Sequence, residues 1–437
     1  MSRLHLIASL LVLAVTSTAG ATPPDVFGYG PRTQGMGNTG VAFASNYEAV
    51  FHNPAGLAAQ RRAGFTLGLQ AGSFELELDG QQWPLDAYSG TTLGFHIPLP
   101  FGGVLEDTFV IGAGFYTPTS TVLRTDIIFP EVPNFVLLAR TQSVHVMLGL
   151  GVNLDRLIPG LRLGLGVATL ADIGGRLLVG LDGGNQFFSQ TETQLLAGFH
   201  PIVGLHLDLP GDLTIGAVYR NKVQSDIDLA IRAENLLPGE LELPVITITA
   251  IPQFDPHTVA LEGAWRPTSD WLLSLQLQYQ HWSTYPGVVG KTTSNSDLPP
   301  HPGFRNTITP RLGVEWEGQH RRTTAQLRGG YAFVPTPARP ARLATKRDSE
   351  GEDLVRPSGD PVQQPLRYLD NHRHLMSLGG SIIWESSSGA HVQFDLFTQL
   401  HYLMPRTHDI PAEGTEGPGL ETRGWILTAG WGVVFEW

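Results

Sequence analysis

An alternation of period two runs through this chain over lengths that strands of soluble sheets do not sustain. In Trp271 to Trp282 the apolar residues Trp271, Leu273, Leu275, Leu277 and Tyr279 interleave with Ser274, Gln276, Gln278 and Gln280. His391 to Tyr402 sets Val392, Phe394, Leu396, Leu400 and Tyr402 against His391, Gln393, Asp395, Gln399 and His401, and Thr323 to Phe333 repeats the pattern. Successive strand side chains point to opposite faces, so each segment offers one face to an apolar medium and one to a polar one. Soluble strands average about five or six residues, whereas a tilted strand crossing a bilayer needs about 9 to 11. The pattern predicts a membrane barrel.

Loop rhythm points the same way. Compact turn signals at 155–160, 209–212, 266–270, 317–322 and 385–389 alternate with longer, Pro-rich and charged connections at 117–137, 236–252, 286–303, 335–370 and 405–421. Short turns on one side and long loops on the other characterise outer-membrane barrels. The strands fall at about 63–78, 88–99, 108–117, 138–154, 161–178, 191–208, 213–235, 253–265, 271–285, 304–316, 323–335, 371–384, 390–404 and 423–437. The expected fold is therefore all-β, a 14-stranded antiparallel transmembrane β-barrel. An even count returns both ends to the periplasmic side.

Composition removes other classes. With 20 Phe, 10 Tyr and 9 Trp and only 16% charged residues, the chain is too apolar for disorder. The absence of Cys excludes disulfide frameworks and thiolate metal sites, and a net charge of −12 has the wrong sign for nucleic acid. Arg3, the apolar run Leu6 to Val15 and Ala19-Gly20-Ala21 read as a secretory signal, residues 1–21. Residues 63–437 are assigned to the barrel. Residues 22–62, rich in Gly and lacking long alternation, are left to fill its lumen as an N-terminal hatch. Gly35 to Gly40 fits G-x-G-x-x-G but lacks a strand before it. His372 and His374 lack a third ligand in register. No cofactor or metal is expected.

The motifs along the chain are collinear with those of one family. Gly35 to Ala58, with Asn53-Pro54-Ala55, resembles the N-terminal hatch of the FadL/TodX family of outer-membrane transporters for long-chain fatty acids and other hydrophobic compounds. Tyr219 to Val223, Leu261 to Ser283, Leu327 to Pro337 and Tyr368 to Gly380 resemble further family motifs, in order. The family's hatch acid before Asn-Pro-Ala is replaced here by Asn46-Tyr47-Glu48. The resemblance implies a non-enzymatic, monomeric protein of the cell outer membrane, in contact with outer-membrane lipid and lipopolysaccharide and inserted by the barrel assembly machinery. The implied function is passive uptake of a hydrophobic small-molecule ligand through a plugged barrel, with lateral release; a porin for polar solutes is the alternative.

Candidate residues follow. Asn53, Pro54 and Ala55 would form the hatch joint that gates transport. Gly112, Gly114 and Pro118 would let the third strand deform as a lateral opening. By lumen parity, Arg220, Lys222, Arg305, Arg311 and Arg328 are candidates to meet a ligand carboxylate, in competition with the lumen acids Asp226, Asp228, Glu262 and Glu315. Phe435 and Trp437, ending an aromatic final strand, resemble the assembly signal of outer-membrane barrels.

Overall fold

A computed structural model describes residues 23–119, 130–135, 144–181, 187–234, 246–292, 297–348, 350–387, 389–410 and 419–437. The expected signal segment lies outside them. Fourteen wall strands run in chain order: β1 Gly64–Leu78, β2 Tyr88–Pro98, β3 Phe109–Pro118, β4 His145–Asn153, β5 Leu161–Leu181, β6 Phe187–Leu209, β7 Leu213–Arg220, β8 Thr258–Thr268, β9 Trp271–Gln280, β10 Thr307–His320, β11 Thr323–Val334, β12 Arg373–Glu385, β13 His391–Thr407 and β14 Glu421–Glu436. Each pairs antiparallel with the next. β14 then pairs with β1 from Gly64↔Glu436 to Leu78↔Thr422, so the sheet has no free edge in the wall. Trp437 completes the closure by exchanging two backbone bonds with Ala63, at 3.0 and 3.2 Å.

The alternation sorts as expected. On β9 the residues Trp271, Leu273, Leu275, Leu277 and Tyr279 are exposed, while Leu272, Ser274, Gln276 and Gln278 are buried. Exposed Trp265, Trp271, Trp384 and Trp437 mark one rim, and exposed Tyr219, Tyr279, Tyr331 and Tyr402 mark the other. Trp271 and Tyr279 are eight residues apart on one strand, about 27 Å at roughly 3.4 Å per residue, or about 20 Å once strand tilt is included. That spacing suits the hydrocarbon layer. The start of β1, the end of β14 and the compact turns lie at the Trp rim, so the Tyr rim, with the long loops, faces outward.

Differences from the expected strands concentrate at the outer rim. The strand expected at 213–235 stops in the wall at Arg220; beyond Asn221 and Lys222 the chain continues as Val223–Glu234, which runs parallel to the outer half of β5 and antiparallel to Ile246–Asp255. The strand expected at 253–265 begins in the wall only at Thr258, after Pro256. Proline cannot donate to a ladder, so it marks the point where the cap hairpin ends and the wall begins. The strand expected at 271–285 likewise ends at Gln280, before a 3₁₀ turn at Trp282–Thr284. The start expected for β4, 138–143, lies outside the described residues. Above the wall, Phe254, Trp282, Tyr285, Phe304, Leu366 and Tyr368 pack into an apolar cap.

Candidate functional site

The N-terminal segment is held inside the wall by short elements with polar ties. It comprises α1 Pro23–Phe27, α2 Pro31–Gly35, α3 Ala49–His52 and a 3₁₀ helix Pro54–Ala59. Such helices are too short to persist alone, so the lumen must satisfy their backbone groups. Glu262 accepts from the Gly40 and Val41 amides at 2.8 and 2.6 Å and from Ser274 at 2.7 Å. Gln399 donates to the Gln34 carbonyl at 2.9 Å, and Gln34 donates to Gln70 at 2.6 Å. Arg32 forms a bidentate pair with Glu315 at 2.7 and 2.9 Å. Lumen-facing polar residues that the alternation required thus become partners of the segment.

Asn53-Pro54-Ala55 sits at the densest of these contacts. Asn53 is extended, with φ −166° and ψ 105°, and its side chain caps the 3₁₀ helix by accepting from the Ala55 amide at 3.1 Å. Its Nδ2 donates to the carbonyls of Val41 at 2.8 Å, Leu205 on β6 at 3.0 Å and Ala217 on β7 at 3.3 Å. One side chain therefore ties the segment to itself and to two wall strands. The approach requires glycine in the wall: a Cβ on Gly204 would lie 1.8 Å from Asn53 Oδ1, and one on Gly164 of β5 would lie 2.0 Å from the Ala55 nitrogen. Gly112 and Gly114 of β3 belong to the same cradle, facing Val50, Leu57 and Tyr29. β3 itself is paired without interruption to β2, from Gly90↔Pro118 to Pro98↔Val110, and to β4, from Phe109↔Val152 to Tyr116↔His145. In this structure its glycines make room for the segment, and the wall beside them is closed.

The five basic candidates part company. Arg311 is buried; its Nη1 donates to the Gly37 carbonyl at 3.2 Å and its Nε has no partner. Arg220 points inward, pairs with Asp25 at 3.5 Å and lies over the Phe51 ring at 4.4 Å. Arg328 is buried but committed: Nε donates to Glu315 at 2.7 Å, Nη1 to Asp395 at 2.8 Å, and Nη2 to Ser381 and Gln326. Four of its five donors are used within the wall. Two placements are corrected. Lys222 is exposed, because the wall strand ends before it, and its ammonium reaches Gln224 at 3.4 Å. Arg305 is exposed because Phe304 anchors in the cap and β10 begins only at Thr307. Of the competing acids, Glu262 and Glu315 serve the segment, and the side chains of Asp226 and Asp228 lie outside those described.

Arg373, at the start of β12, was missed. It is buried, its Nε and Nη1 have no partner, and it shares the inward parity of Leu375 and Ser377. Together with Arg311 and the two acids Asp25 and Asp255 it lines a cavity of about 50 Å³ whose other walls include Val26, Trp282, Val334 and Leu375. Two smaller cavities of about 20 Å³ lie beside it, one lined by Arg311, Arg220 and Phe51, the other by Arg220, His145, Met147 and Ile202. Asp25 lines all three. Each holds a few waters at most, and α1, which carries Asp25 and Val26, stands where they would join.

Deeper in the segment, Glu48 Oε1 accepts from the Arg32 amide at 3.2 Å while Oε2 has no partner. Burial, then the nearby Asp395 charge, push its carboxyl up to about 8 against the pull of Arg32 and Arg328. His372 and His374 sit outside, the latter bonded to the Tyr331 hydroxyl at 2.8 Å and the former stacked on Phe333. Among the described residues no group of three metal-ligating side chains occurs.

No protein-family model matches the chain, and no curated protein does. Solved structures do. A Pseudomonas aeruginosa FadL homologue superposes with a TM-score of 0.54 at 13% identity, over 96% of this chain and 99% of that one. The P. putida toluene transporter TodX gives 0.52 at 13% identity, over 94% and 99%. The Ralstonia pickettii toluene transporter TbuX gives 0.50 at 15% identity, over 93% and 98%. Identity this low speaks to architecture alone, and with the closed wall and its apolar belt it establishes the fold: a multi-pass outer-membrane β-barrel whose architecture is like that of the FadL homologue and TodX.

Proposed function

We propose that the protein is a passive uptake channel for hydrophobic or amphipathic solutes, long-chain fatty acids among them, in which the N-terminal segment acts as a movable hatch. The observation that carries this reading is the cavity where Arg311 and Arg373 present unpartnered N–H groups beside Val26, Trp282, Val334 and Leu375. Buried guanidinium N–H groups without acceptors, Nε of Arg311 and Nε and Nη1 of Arg373, are costly. A solute carboxylate would relieve two of them through charge-assisted bonds, while its chain replaces water against the apolar lining. Likeness to barrels described as toluene transporters supports the hydrophobic class; the arginines favour a solute with an anionic end.

The cavities must open to admit such a molecule, and the geometry supplies a means. A carboxylate between Arg311 and Arg373 adds negative charge in the cavity that Asp25 also lines, and repulsion displaces α1 from its Arg220 contact. Moving α1 merges the three spaces. If Tyr29, Val50 and Leu57 follow, they bare Gly112 and Gly114 of β3, where lateral release would require the ladder to part. The test is oleate binding to detergent-solubilised protein. Replacing both arginines by Gln should weaken oleate binding at least tenfold and leave methyl oleate binding unchanged. Equal affinity for acid and ester in the unaltered protein, or no effect of the double substitution, would overturn the reading.

A further inference from the structure

Outside the lumen, cations gather on the flank of the cap above β10 and β11. Arg339 Nε donates to the Gly303 carbonyl at 2.8 Å, and Arg342 Nη2 donates to the Pro302 carbonyl at 3.1 Å. Gly303 adopts φ +63°, and a Cβ there would lie 3.2 Å from Arg342 Nη2 and 3.6 Å from Arg339 Nε, so both guanidiniums converge on one point. Arg305, exposed two residues further on, ties its amide to the Pro337 carbonyl at 2.9 Å. Arg406 spends Nη1 and Nη2 on the carbonyls of Asp370 and Ala338, at 2.6 and 2.8 Å. Among the described residues none of the four makes an ion pair within 4.0 Å. Asp409 is the acid that offsets the repulsion Arg339 and Arg305 exert on Arg342. Among the described residues these four guanidiniums face two nearby carboxylates, Asp409 and, beside Arg406, Asp370, a local excess of positive charge on a chain of net charge −12.

Depth identifies the counterion. Tyr279 of the outer aromatic rim pairs with Ile308; Arg305 lies three residues beyond it, about 10 Å along the chain, where headgroups meet the aromatic belt. Directly below, Ile308, Pro310 and Leu312 are exposed on the lipid face of β10. We propose that Arg305, Arg339 and Arg342, with Arg406 behind them, bind the phosphorylated headgroup of an outer-leaflet glycolipid whose acyl chains lie on β10 and β11. Guanidiniums suit phosphate because they present paired donors to its oxygens. The site rests on the orientation of the barrel, not on the uptake reading.

The test uses the full-length protein, freed of lipopolysaccharide and offered bis-phosphorylated lipid A in detergent, with retained lipid counted by native mass spectrometry. The unaltered protein should retain lipid A and release it with rising salt. The triple substitution Arg305→Gln, Arg339→Gln, Arg342→Gln should lower retention at least tenfold while the barrel stays heat-modifiable and oleate binding stays normal. Retention of dephosphorylated lipid A equal to that of the phosphorylated form, unchanged retention by the triple variant, or full displacement by millimolar inorganic phosphate would overturn the proposal. So would loss of oleate binding with lipid A retention intact, which would make the cluster a capture point for solute.

Discussion

Asn53→Ala isolates what this side chain contributes to docking the N-terminal segment, and so tests the proposed hatch joint. The two Nδ2 hydrogens serve the Val41 and Leu205 carbonyls at 2.8 and 3.0 Å, with Ala217 as a third, longer acceptor, and Oδ1 holds the Ala55 amide at 3.1 Å. Alanine removes three near bonds in a buried setting. At about 1 kcal/mol net per bond, docking of residues 41–57 should weaken by about 2–4 kcal/mol, while the β6–β7 ladder, which Asn53 only touches, keeps its own backbone bonds. By the relation of about 1.4 kcal/mol per factor of ten, amide exchange across the segment should accelerate between about 30-fold and nearly 1000-fold. Hydrogen exchange with peptide-level readout measures this directly, and barrel melting and radiolabelled oleate uptake on the same variant complete the assay. The expected result is faster exchange confined to the segment, unchanged barrel melting and strongly reduced uptake. Unaltered exchange would refute the bonding account; a parallel fall in melting and uptake would reduce the motif to an anchor.

Three further outcomes are expected. Glu48 is protonated in the fold up to about pH 8 but ionises near pH 4.5 when unfolded, so the folded state binds the extra proton and stability falls as pH rises through that window; Glu48→Gln should flatten the fall and raise melting at pH 8 but not at pH 4, and an unchanged profile would contradict the assignment. Single cysteines at Leu273, Leu275 and Leu277 should react with lipid-soluble reagents, and those at Gln276 and Gln278, buried against the N-terminal segment, should resist them, an unambiguous readout in a chain with no Cys; equal labelling of both sets would break the register. Ile111→Cys with Leu150→Cys, partners across β3 and β4, gives a disulfide lock: uptake lost on oxidation and restored by reduction supports lateral release at β3, and uptake indifferent to the lock places the exit elsewhere.

What the sequence disclosed was whatever alternation controls. The wall, the strand count and the sorting of Trp271 and Tyr279 to opposite rims follow from a two-residue period and a bilayer thickness, both local in the chain. The outer rim was less legible because its pairings are non-local: nothing near Val223 announces that it will run parallel to β5. Pro256 did carry a local signal, a missing donor inside an alternating run, and would have separated cap from wall. Among the candidate cations, parity placed Arg311 and Arg328 inside correctly, but which of them is free depends on Glu315 and Asp395, thirteen and sixty-seven residues from Arg328. Arg373 could have been found by extending the Leu375 and Ser377 parity one step outward. The glycine cradle under Asn53 is visible only once five wall strands are side by side, because each glycine alone reads as curvature.

Flux across a bilayer separates a plugged uptake channel from an open pore. Proteoliposomes carrying the protein, loaded in parallel with radiolabelled oleate outside and with a small sugar, should pass oleate faster than empty vesicles, pass the sugar no faster, and lose the oleate advantage when Arg311 and Arg373 are both replaced by Gln. Rapid sugar flux together with an oleate rate equal to that of empty vesicles would contradict the account and identify a polar-solute pore.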